Sequence, residues 1–268
     1  MTHPPVAVCF FGITRSLTRT LASIENNILT PAQNLPQGAK CYGHFFQQAF
    51  INNPRSDEVG EMDIEEHRLL PFRDLKLEEP DTCLSMWNFE EIKSFGSPWN
   101  DNFVSLRNLI HQLHSLNQVT EMALRDGAEI VVFARPDMTY HDSLARPLRR
   151  ANRTKGPLVQ LPWWQPFGGL NDRLAIVRDE AAIRAYGQRI QKIPAFCATN
   201  GPLHAESLVR FALEAAQVPV HTIAARASRT RIDGTSPEEP FDYPYRYEIK
   251  RRYPIVGRVA KSLKSHLR

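Results

Sequence analysis

The sequence predicts an α/β fold, a mostly parallel central sheet with helices on both faces, on three observations. Its strand candidates are near-continuous apolar runs, VAVCFF at residues 6–11 and IVVFA at 130–134, as strands covered on both faces are. Helical three-and-four spacing alternates with them, most clearly over residues 103–125. The chain has 268 residues, 42% of them hydrophobic, enough to bury one such core.

Taken in order, residues 6–11 form a strand that ends at the turn residue Gly12. Thr14 or Ser16 caps a helix over 17–28, with Leu17, Leu21, Ile24 and Ile28 on one face. Residues 41–46 (CYGHFF) form a second strand. Residues 52–101 are acidic and broken by Pro54, Pro71, Pro80 and Pro98, which predicts short elements and an irregular surface. Asp101 or Asn102 caps the longest helix, 103–125, and Gly127 ends it. After the strand at 130–134 come strands at 158–161 and 173–177, helices at 179–190 and 205–216, and a strand at 218–223. Residues 226–247, rich in Pro, Ser and Tyr, drape over the surface. A main domain over 1–225 and an appendage over 226–268 are therefore expected.

Composition narrows the function. The net charge is +4, yet seven Lys or Arg and no acid lie between Lys250 and Arg268, which leaves −3 for the rest. Basicity belongs to the tail, so nucleic acid is not an expected partner of the domain. In that tail Tyr253, Ile255, Val256, Val259, Leu263 and Leu267 interleave with the basic residues, which suits either a helix lying on an anionic membrane surface or a solvated tail. Cys9, Cys41, Cys83 and Cys197 show no CxxC spacing. The amino terminus lacks signal-peptide features, and no run approaches the roughly 20 apolar residues of a membrane span. A cytoplasmic protein, peripheral on the inner face of a membrane where the tail docks, is expected.

Ligands of parallel sheets bind beyond the carboxyl ends of the strands, and two polar groups fall there. Residues 130–134 run into Arg135-Pro136-Asp137. Pro136 cannot continue a central strand, so it aims Arg135 and Asp137 in set directions. The carboxylate can hold a divalent cation against a diphosphate and the guanidinium can grip phosphate oxygens, or the two can close the strand as a salt bridge. In Phe11-Gly12-Ile13-Thr14-Arg15-Ser16, glycine permits close approach of a phosphate, the helix start favours anions and Arg15 adds charge. The stretch is neither GxGxxG nor a P-loop, and it also reads as a plain strand-to-helix turn.

Two further stretches could meet a sugar. Trp163 and Trp164 precede Gly168-Gly169-Leu170-Asn171-Asp172-Arg173. Aromatic faces pack on sugar rings, Asn171 and Asp172 can bond hydroxyls, and a mobile Gly pair would let the loop close; the alternative is a core Trp pair beside a hairpin. Glu206, two residues after His204, falls in the first turn of a helix, where amides and the dipole keep a carboxylate ionised. Such a group suits a general base that deprotonates a hydroxyl, though a Glu at a helix start is otherwise ordinary. His111 and His114 lie three apart on the long helix and, with no third ligand evident, read as surface or boundary residues.

The order of these blocks is more specific than any of them. VAVCFFGITRSL, the long helix with QLHSL, the strand into Arg-Pro-Asp, then NDRLAI and HAESL together resemble GT-A type nucleotide-sugar glycosyltransferases, particularly polysaccharide- and lipopolysaccharide-building enzymes of bacteria and large viruses, over about residues 6–223. The resemblance implies a Rossmann-like GT-A architecture, a nucleotide-sugar donor and a glycan or lipid-linked acceptor. It places Phe11, Gly12, Arg15, Arg135 and Asp137 at the donor, Trp163, Trp164, Asn171 and His204 at the acceptor, Glu206 as an inverting base and Asp172 on either sugar. It also implies Mn²⁺ or Mg²⁺ at Asp137, although Arg135 stands where the first Asp of an Asp-x-Asp motif would be. A degenerate, non-catalytic domain binding nucleotide or glycan as a partner subunit is the alternative.

Overall fold

A computed structural model of the chain describes residues 4–53, 58–239 and 241; the basic tail expected after residue 249 lies outside them. In chain order the strands are β1 (Val6–Gly12), β2 (Ala39–Phe46), β3 (Phe50–Asn53), β4 (Glu58–Glu61), β5 (Phe72–Glu78), β6 (Ile130–Ala134), β7 (Met138–Tyr140), β8 (Leu158–Pro162), β9 (Leu174–Arg178), β10 (Val220–Ile223) and β11 (Ala227–Arg229). The helices are α1 (Leu17–Ile24), α2 (Thr30–Gln33), α3 (Thr82–Met86), α4 (Phe89–Ser94), α5 (Val104–Arg125), α6 (Ala145–Arg153), α7 (Glu180–Gly187), α8 (Ile193–Asn200) and α9 (Ala205–Ala215).

Seven strands form the central sheet in the order β10-β8-β9-β6-β1-β2-β5. Every neighbouring pair is parallel except those made by β9, which runs antiparallel to β6 and β8. The predicted α/β class is thus the observed one. Period-two alternation explains why the central strands read as unbroken apolar runs. Val6, Val8 and Phe10 of β1 join one core with Leu17, Ile24 and Leu148, whereas Ala7, Cys9 and Phe11 join the opposite core with Leu116, Val119 and Tyr186. Both faces are covered, and each large side chain buried in this way contributes roughly 1.5–3 kcal/mol.

Several boundaries differ from the sequence reading for physical reasons. The helix expected over 17–28 continues through a π-helical turn, Glu25–Leu29, into α2. Asp101 supplies the cap of α5, its Oδ2 accepting from the Ser105 amide at 3.0 Å. The stretch 52–101 consists of short elements, as expected. It carries β5, an edge strand whose FRDLKLE sequence is only half-buried and so lacks an apolar signature. The appendage expected from residue 226 begins inside the fold, because β11 pairs antiparallel with β7. Among the described residues no helix is long and apolar enough to cross a membrane, and all four cysteines are free and buried.

Candidate active site

β1 and β6 are parallel neighbours, so Gly12 and Arg135 emerge at the same rim of the sheet. The antiparallel β9 brings its start there, which delivers Asp172 and Arg173. The amino end of α9 adds His204 and Glu206. A cavity of about 590 Å³ opens at this rim, lined by Gly12, Arg15, Arg135, Asp172, His204 and Glu206 among others. Of the residues expected at the site, these six are brought together.

Arg135 and Asp137 do face each other. Arg135 donates through Nε to Asp137 Oδ1 and through Nη2 to Oδ2, each at 2.9 Å. Arg15 donates through Nε at 3.2 Å and Nη2 at 2.9 Å to Oδ2, while its Nη1 reaches Glu58 at 2.7 Å. The backbone of Arg135 is clamped by Tyr140, whose hydroxyl accepts from the Arg135 amide and donates to its carbonyl. Arg135 Nη1 also donates to Gln112, and Gln112 Nε2 donates to Asp172 at 2.9 Å. One charge network therefore runs from Glu58 to Asp172 across the cavity floor. Burial opposes ionisation of Asp137, but Arg135 and Arg15 outweigh it and hold the carboxyl well below the usual carboxylate range.

The geometry is unfavourable to the Mn²⁺ or Mg²⁺ expected at Asp137. The side chain is 0% exposed and is absent from the cavity wall. Four guanidinium N–H groups crowd the carboxylate, three on Oδ2 and one on Oδ1.

Four other expected residues turn away from the cavity. Phe11 alternates with Phe10 and packs under α5. Trp163 and Trp164 are core residues; Trp164 is 2% exposed and donates through Nε1 to the Ala225 carbonyl. Asn171 is spent on the turn, donating to the Trp164 carbonyl and accepting from the Arg173 amide. The aromatic wall is instead made by Phe46, Phe50, Trp99 and Phe167, with Phe50 and Phe167 more than half exposed. Trp99 stacks on the His204 ring at 6.4 Å. The α1 start is also taken, because Glu66 accepts from the Leu17 and Thr18 amides and the Thr18 hydroxyl.

Of the glycine pair, Gly169 is a close-packing position, whereas Gly168 has open space about it and a left-handed φ of +84°. A Cβ on Gly169 would stand 1.9 Å from the Glu206 carbonyl oxygen and 2.4 Å from the Ser207 amide. The Leu170 amide donates to that same carbonyl at 2.9 Å. Asp172 and Glu206 both line the cavity next to this contact. Gly169→Ala is expected to lose about 1–3 kcal/mol, since only backbone movement relieves the clash; an unchanged urea midpoint would contradict the packing.

His114 is buried, not at the surface, and forms with His44 and Glu78 the group of described residues whose ligand atoms all lie within 4.8 Å of one another. The hydrogen-bond polarity disfavours a metal there. Trp87 Nε1 can only donate, and it donates to His114 Nδ1 at 3.0 Å. His114 Nε2 therefore carries the proton and donates to Glu78 at 2.8 Å, while Lys76 pairs with the other carboxylate oxygen. His44 is fully buried, and burial pushes it down to about 4. A His kept neutral in the fold favours unfolding as acid protonates it, so its contribution is present above about pH 6.5 and is lost as pH falls toward 4. The loss is at most about 3 kcal/mol. Urea titrations at pH 7 and pH 4.5 should show a smaller pH dependence in His44→Gln than in wild type; equal dependence would contradict the assignment.

No family model and no curated protein matches the chain. Among solved structures, the apo form of mouse xyloside xylosyltransferase 1 is similar, with a TM-score of 0.41 and 10% identity over 82% of this chain and 85% of that one.

Proposed function

We propose that the protein is a glycosyltransferase that moves a sugar from a nucleotide-sugar donor to a hydroxyl of a glycan or lipid-linked acceptor. The observation that supports this most is the meeting of four separately encoded segments at one cavity, with arginines on its floor and Glu206 at its wall. The reaction asks for two things. Charge must be neutralised on the departing diphosphate, and a hydroxyl must lose a proton as it attacks. Glu206 is 7% exposed, sits beside His204 at 3.5 Å and faces the cavity, so its carboxylate takes the proton. The acceptor oxygen then bonds to the anomeric carbon as the bond to the diphosphate breaks, and that electron pair leaves on the diphosphate. Direct displacement inverts the anomeric centre. The exposed faces of Phe50 and Phe167, with Trp99, offer surfaces for a sugar or base. A role in surface polysaccharide assembly at the cytoplasmic side of a membrane belongs to the same proposal.

Nucleotide release from a panel of uridine-, guanosine- and cytidine-activated sugars, with glycan acceptors, tests it. Turnover with at least one donor is expected. Tight nucleotide binding with no turnover on any donor would favour the non-catalytic binding module instead.

A further inference from the structure

Resting on that reading of the cavity, we infer that the diphosphate is held by an arginine cluster centred on Arg229 and that no divalent cation takes part in its binding. Arg229 comes from β11, the short strand that β7 holds against the rim beside Asp137: the Thr230 amide donates to the Asp137 carbonyl at 2.9 Å. Its side chain lines the cavity, and its guanidinium makes no hydrogen bond or ion pair to any described residue.

The other arginines of the cavity are spoken for to different degrees. Arg15 is paired with Asp137 and Glu58, and Arg135 with Asp137 and Gln112. Arg173 stands 4.0 Å from Asp172 and lies over the Trp164 ring. Among the described residues Arg229 has no hydrogen-bonded or ion-paired partner, and only the carboxylate of Asp137 acts favourably on it. Burial and then the like charge of Arg15 push it down to about 10, with Asp137 opposing and Arg135 and Arg173 adding to the push. Concentrated positive charge in a recessed site is relieved by an anion, and the planar guanidinium matches phosphate oxygens in a bidentate fork.

A cation would have to enter the same space. Asp137 is fully buried and does not line the cavity, and neither does the cluster of three metal-type ligands among the described residues, His44, Glu78 and His114. Asp137 thus serves to hold Arg15 and Arg135 in place, and the anion meets guanidinium groups where other sites would offer a metal.

The test is binding, which is independent of turnover. Inorganic pyrophosphate titrated calorimetrically into the full-length protein in EDTA should bind, and Mn²⁺ should weaken that binding by competing for the ligand. Arg229→Gln should weaken it by about 10- to 100-fold, the worth of a hydrogen bond to a charged group, with Arg229→Lys between the two. Thermal unfolding of the variants should match wild type, because Arg229 has no hydrogen-bonded or ion-paired partner among the described residues to lose. Pyrophosphate that binds only with Mn²⁺ present, or that binds Arg229→Gln as well as wild type, would overturn the inference. Failure of the glycosyltransferase reading would show separately, as pyrophosphate binding in EDTA with no donor turned over.

Discussion

Glu206→Gln is expected to lower turnover of the preferred donor by about 10²–10⁴, the contribution of a positioned general base, while leaving donor binding within a few-fold. Gln has the shape of Glu and its hydrogen-bonding length, so the fold and the contact with His204 survive. What goes is the ability to accept a proton. The first turn of α9 supplies unpaired amides and the positive end of the helix dipole, which favour the ionised carboxylate. Because the Glu206 carbonyl is pinned by Leu170 and packed on Gly169, the side chain starts from a fixed backbone. The check is single-turnover kinetics with donor saturating. A loss confined to KM would mean that Glu206 binds rather than acts as base, and no loss would remove it from the chemistry.

Asp137→Ala is expected to destabilise the protein by about 3–5 kcal/mol, because it removes the shared partner of two buried guanidinium groups. Breaking a buried charge pair costs more than the pair contributes, since the remaining charge stays desolvated and unpaired. Arg15 keeps Glu58, but Arg135 keeps only Gln112 and the Tyr140 clamp on its backbone. Asp137→Asn retains the shape and loses the charge, and it should fall between wild type and Ala. Guanidinium denaturation at pH 7 reads this as a lowered midpoint with an unchanged slope. A change below about 1 kcal/mol for Ala would mean that solvent reaches the network. Since Asp137 is held below the usual carboxylate range, its contribution is present above the ordinary Asp value near 3.9 and is lost only as pH falls below it.

The parts of this arrangement legible in the sequence were those with local signatures. The apolar run into Arg135 marks a strand end, and Glu206 follows a turn into a helix, so both could be placed at a rim before any coordinates. Period-two alternation along β1 puts Phe11 with Cys9 on the α5 face, away from the cavity. Trp163 and Trp164 follow a strand end as sugar-binding aromatics would, but only the packing against Ala225 shows them to be core. Arg229 could not be found locally. It sits in a three-residue strand in a polar stretch, and it reaches the cavity only because β11 pairs with a β7 some 90 residues earlier. Glu58, Gln112 and the triad of His44, Glu78 and His114 are likewise products of topology, drawn from elements far apart in the chain.

Crystals grown with EDTA and soaked in uridine or guanosine diphosphate put the central claim to its most direct test. The diphosphate is expected against Arg229 and Arg135, with no metal density and with the β-phosphate turned toward Glu206. A nucleotide bound elsewhere on the molecule, or one held in this cavity only through a cation, would contradict it.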